Sequence, residues 1–240
     1  MISETNTKPE KRENMLINLI FNLVLPATIL SKLSAENRLG PVYALILGLS
    51  LPLVYGIYDF VTRKKWNFFS VLGFISILLT GGLGLLKVDG IWFAIKEAAI
   101  PLMLGVAVIG SLKTKYPLVR TFLYNDKIID VEKVHQALVF RDNESAFDRL
   151  LTSSTYVLAF SFLISAVLNF ILARIILTSP SGSVQFTQEL GKMTALSWPV
   201  IVIPSTIIMG YALWRLFAGI KRLTGLNMEA VLKTPPPKEK

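Results

Sequence analysis

"IWFAIKEAAIPLMLGVAVIG", residues 91 to 110, decides the fold of this chain. As a helix the stretch rises about 30 Å, the thickness of a bilayer's hydrocarbon core, and it is apolar enough to lie there. Yet Lys96 and Glu97 stand side by side within it and Pro101 follows. The two charges are either an intramembrane site or a pair that neutralises itself. Apolar blocks at 41–60, 67–86, 153–177 and 196–220 have spanning length as well, and a fifth, 15–33, carries Asn18 and Asn22. The expectation is an all-α, polytopic bundle of six transmembrane helices.

Composition points the same way. Of 240 residues, 52% are hydrophobic and only 17% charged, and the mean hydropathy is +0.56, more apolar surface than one water-soluble core hides. With no cysteine, disulfides, thiolate catalysis and cysteine-based metal sites are excluded. One histidine, His135, excludes a multi-histidine metal centre, and no cofactor is expected. The net charge of +9 and pI near 9.7 do not call for nucleic acid, because Lys and Arg accumulate on the cytoplasmic loops of multispanning proteins.

That bias also sets the expected orientation. Most of the 25 Lys and Arg residues fall in the tail 1–14, the loop "VTRKKW" at 61–66, the connection 113–150 and the tail 221–240. Both termini are therefore expected on the cytoplasmic side, with helices one to four in 15–112 and five and six in 151–220. The polar lead mixes Glu and Lys, and no small-residue cleavage site follows a short apolar core, so the first span reads as retained. In "YNDKIIDVEKVHQALVFRDNESAFDRL", 124–150, Ile128, Val131, Val134, Leu138 and Phe147 make an apolar stripe expected to lie against the inner membrane surface, with His135 on its polar face.

Pro26, Pro52, Pro101 and Pro204 fall inside four spans, each leaving the carbonyl four residues earlier without its N–H partner. Lipid cannot satisfy those carbonyls, so the broken faces are expected to turn inward. Asn18, Asn22 and Pro26 share one face at intervals of four, where the amides serve as packing contacts or line a ligand path. Pro41 and Pro199 are expected in first helical turns. The run "TGGLG", 80–84, suits close helix contact or an uncoiling near the outer end of span three; no phosphate-binding loop is present.

Lys96 and Glu97 lie roughly 9 to 10 Å inside one end of their span, so Lys96 can reach back toward the interface. Adjacent helical residues differ by about 100° in direction, which leaves Glu97 in want of a partner on another helix or of a proton. Arg174, assisted by Asn169, is the expected one at matching depth. Asp59 and Arg215 form a second candidate pair at the inner side, or anchor separately in the headgroups. No arrangement of nucleophile, base and orienting acid accompanies Ser153 and Ser154.

"NLIFNLVLPATI" at 18–29, "GPVYALI" at 40–46, "TGGLGLL" at 80–86, "WFAIKEAAIPLMLG" at 92–105 and "ELGKMTALSWPVIVIPS" at 189–205 carry a resemblance. The chain resembles a family of small bacterial inner-membrane proteins of uncharacterised function, and more distantly the intracellular septation protein A group. Gly81, Gly82, Asp89 and Lys96 match that group's glycine-rich turn, acid and lysine-containing helix. Glu97 stands where the group has proline. The resemblance implies a bacterial inner-membrane location and association with envelope synthesis or division machinery, with no substrate or reaction.

The expected function is non-enzymatic organisation of the envelope through contacts with membrane lipids or membrane proteins. The alternative is a small-solute or ion transporter whose polar site gathers Asn18, Asn22, Lys96, Glu97, Asn169 and Arg174. An enzyme acting on a lipid-borne substrate ranks third, and oligomeric state is left open.

Overall fold

The computed structural model describes residues 19–63, 68–114, 118–124 and 129–232. Their regular structure is helical, with one isolated bridge between Ile129 and Leu232. Four helices are long and apolar enough to cross a membrane: Gly40–Tyr58, Gly90–Ser111, Glu144–Ile176 and Val184–Thr224. Ile20–Lys32 and Ile75–Leu85 are shorter apolar helices. The chain divides into two compact units, Met1–Gly90 with Ile176–Ala195, and Ile91–Ile175 with Leu196–Lys240.

In the first unit a π turn, Ile20–Val24, leads into α1 (Leu25–Lys32), followed by α2 (Gly40–Arg63), α3 (Phe68–Leu85) and the start of α8 (Val184–Ser197). The π turn answers Pro26. A proline ring collides with the carbonyl four residues back, and the wider turn relieves this as Leu25 donates to the Ile20 carbonyl instead. The same device recurs at Trp198–Val202, where Ile203, immediately before Pro204, donates to Trp198. Pro52 and Pro101 sit inside α2 and the helix Gly90–Ser111 without a π turn at either place.

Close approach in this unit depends on glycine. A Cβ on Gly191 of α8 would stand 2.7 Å from the Ser31 nitrogen and 2.8 Å from the Ala27 carbonyl oxygen of α1, backbone atoms that a side chain cannot push aside. Gly48 of α2 likewise meets Leu30. Phe21 stacks on Tyr55 with ring centroids 5.9 Å apart.

The second unit contains α4 (Gly90–Ser111), α5 (Leu118–Phe122), α6 (Val131–Phe140), α7 (Glu144–Ile176), α9 (Ile203–Thr224) and α10 (Met228–Val231). α7 and α9 are antiparallel. The Asn143 side chain donates to the Leu223 carbonyl at 2.9 Å, and farther along Gly219 makes room for Leu150. Gly105 brings α4 against α7, since a Cβ there would lie 3.3 Å from that of Phe162.

The connection between α4 and α7 corrects the sequence reading. Val134, Leu138 and Phe147 are buried in one core with Leu216, Ile220 and Leu223 of α9 and with Val119, Leu123 and Ile129. The apolar stripe is therefore spent on protein packing and does not face lipid; Val131 packs at its margin, and Ile128 lies outside the described residues. Asp130 caps α6 by accepting from the Lys133 N–H at 3.1 Å. Its own N–H donates to Val231 at 2.8 Å, so α10 closes the same core. Tyr124 meets Phe147 edge-on. Burial pushes the Tyr124 phenol up to about 12, against the downward pull of Arg120 and with a further push from Asp130.

A second correction concerns Pro199. It lies within the continuous helical run Val184–Thr224, where the expected first turn of a helix beginning near 196 does not exist. Residues 184–195 are less apolar but carry good helix formers, so the helix begins well before the hydropathy rises.

Candidate intramembrane charge site

α4 puts Phe93, Ala94 and Lys96 on its buried side, with Glu97 half-buried at the margin. The Lys96 ammonium stands 2.6 Å from the Glu97 carboxylate, and the two side chains are 7% and 25% exposed. The angular offset between neighbours on a helix separates their Cβ atoms, but the four-carbon lysine stem curls across it. A pair of this kind carries no net charge into the low-dielectric surroundings, whereas either member alone would cost several kcal/mol of desolvation.

Arg174 is exposed on α7, and the ion-pair partner of Glu97 is Lys96 in its place. Asn169 is spent on its own helix, donating to the Ser165 carbonyl at 2.8 Å and lying 3.4 Å from the Ser165 hydroxyl. Lys96, Glu97, Asn169 and Arg174 belong to the second unit. Asn22 belongs to the first, in the π turn ahead of Pro26, and Asn18 lies outside the described residues. Of the inner-side pair, Arg215 is half-buried on α9 and the Asp59 side chain is outside the description. His135 is exposed on α6, 3.9 Å from Glu144, which is also exposed.

One polar arrangement escaped the sequence reading. The Glu189 carboxylate of α8 accepts from the backbone N–H groups of Thr178 and Ser179, each at 3.0 Å, and from both hydroxyls, at 3.2 and 2.7 Å. It ties down the turn that follows α7, and Ser181 secures the same turn by donating to the Val88 carbonyl. "TSP" followed by a glutamate nine residues after the proline is the signal that was available. Among the described residues, no group of three or more His, Asp or Glu side chains is placed to hold a metal ion.

Four apolar helices of spanning length define the chain as a helical, multi-pass membrane protein in contact with lipid. No protein-family model matches it, no curated protein matches it, and no solved structure does.

Proposed function

We propose that the chain is a non-enzymatic six-span protein of the bacterial inner membrane, with both termini cytoplasmic, that organises the envelope or division machinery through protein or lipid contacts. Its two remaining crossings would fall in the segments that hold the shorter apolar helices Ile20–Lys32 and Ile75–Leu85. The observation that carries the reading is the Lys96–Glu97 ion pair: opposite charges that meet within one helix turn offset each other's desolvation and let the helix sit in the bundle. The resemblance to the septation protein A group supports the same role.

Transport of a small polar solute or ion is the second reading. It draws on the π turns at Ile20–Val24, which holds Asn22, and at Trp198–Val202, because widened turns beside prolines recur where helices line polar paths. Single cysteines at 22, 97 and 174 decide between the two, since the native chain has none. Charged thiol reagents applied from either side are expected to leave positions 22 and 97 unlabelled in variants that elute as the native protein does. Labelling of 22 and 97 from opposite sides would replace the organising role with transport.

A further inference from the structure

α7 is longer than a membrane is thick. Its 33 residues rise about 50 Å against a hydrocarbon core of about 30 Å. Glu144, Asp148 and Arg149 place the surplus at its N-terminal end. Two helices carry exposed aromatics at one level. Leu150 of α7 meets Gly219 of α9. From that level Tyr156 lies about 9 Å farther along α7 and Trp214 about 7.5 Å back along α9, so the two aromatics stand at nearly one height. They are 56% and 66% exposed, and Tyr211 stacks on Trp214. Such rings mark the membrane–water interface.

At that height α7 carries an open depression of about 350 Å³ lined by Asp148, Arg149, Thr152, Ser153 and Tyr156. Arg149, Ser153 and Tyr156 follow at i, i+4 and i+7 and share one helix face. The same face continues into exposed Phe160, Leu163, Val167 and Ile171, an apolar stripe rising about 16 Å along the helix. The hydrogen-bonding capacity of the depression is uneven. Asp148 faces Arg120 at 3.9 Å, and the Thr152 hydroxyl donates to the Asp148 carbonyl at 2.9 Å. Arg149 makes no hydrogen bond or ion pair among the described residues and keeps its guanidinium donors.

We propose that this face of α7 seats one membrane glycerophospholipid: Arg149, with the hydroxyls of Ser153 and Tyr156, holds the phosphodiester, and an acyl chain lies along Phe160, Leu163, Val167 and Ile171. A planar guanidinium suits a phosphodiester's paired oxygens, and the polar-then-apolar order along the face matches a lipid read from headgroup to tail. The seat goes beyond the proposed function, since an organising protein and a transporter could both carry it. It requires only that the chain span a membrane.

Native mass spectrometry of the full chain in detergent, titrated with phosphatidylglycerol and with diacylglycerol of the same chains, tests the seat. One phosphatidylglycerol is expected to be retained and diacylglycerol lost. R149Q is expected to weaken retention about tenfold, and R149K to restore part of it. R222Q, which removes an equal charge from α9, is expected to leave retention unchanged. Phe160→Ala is expected to weaken phosphatidylglycerol, and inorganic phosphate is expected not to displace it. Equal retention by native protein and R149Q overturns the seat. Equal loss in R222Q reduces it to general charge attraction, and displacement by phosphate alone reduces it to an anion site. A lipid-free dimer would put a second copy on this face instead. Each of these results leaves the cysteine-labelling test of the proposed function untouched.

Discussion

Lys96 and Glu97 carry opposite charges on stems of different reach, and the longer lysine stem brings the two together on α4. A flexible stem lets the ammonium reach the carboxylate of its immediate neighbour at 2.6 Å. Lys96→Met alone, or Glu97→Gln alone, leaves one member of a mostly buried pair uncompensated and is expected to cost about 3 kcal/mol. The double variant K96M/E97Q is expected to recover most of that loss in thermal unfolding of the detergent-solubilised protein. Simple addition of the two single losses would show that the pair does not act as a structural unit. Both residues were legible in the sequence, because charges inside a 20-residue apolar run are conspicuous. Their pairing was not: helix geometry gives the directions of Cβ atoms, whereas the contact is made by atoms several bonds farther out. Gly191 is the converse case. Nothing in "ELGKM" says that the backbone of α1 passes against it, since that contact joins residues far apart in sequence.

Among the elements, the proline-broken helices and the amphipathic connection behaved differently. Proline's missing N–H is a local property, so breaks at Pro26 and Pro204 could be expected from sequence; only the three-dimensional path shows that a five-residue π turn accommodates each. The apolar stripe on α6 was equally visible, but periodicity states that a face is to be buried and does not state against what. Here the burying surface is the end of α9 together with α7 and α10. Val231, almost fully buried in that core, makes the chain beyond Gly225 part of the structure of the connection. Truncation after Gly225 removes Val231 and the Asp130–Val231 hydrogen bond. It is expected to speed proteolytic cleavage within residues 129–143 by about an order of magnitude, in line with a loss of 1 to 3 kcal/mol. An unchanged cleavage rate would show that α10 contributes nothing to holding α6.

At the scale of the whole molecule, the proposed six crossings would place the two termini on one side of the membrane. Reporter fusions to residues 1 and 240 are therefore expected to give the same cytoplasmic signal, and a fusion in the 34–38 loop the opposite one. Opposite signals from the termini would remove one of the two short helices from the set of spans. Composition and local pattern alone determined that the chain is helical, membrane-bound and multi-pass, because transfer of a 20-residue segment into hydrocarbon depends on that segment's own side chains and backbone. Tertiary structure alone decided which face of each helix meets protein and which meets lipid, that Lys96 answers Glu97, that Glu189 holds the turn after α7, and that α6 and α10 fold against the ends of α7 and α9. Those outcomes depend on which distant segments come within contact distance, and a residue's identity does not contain that information.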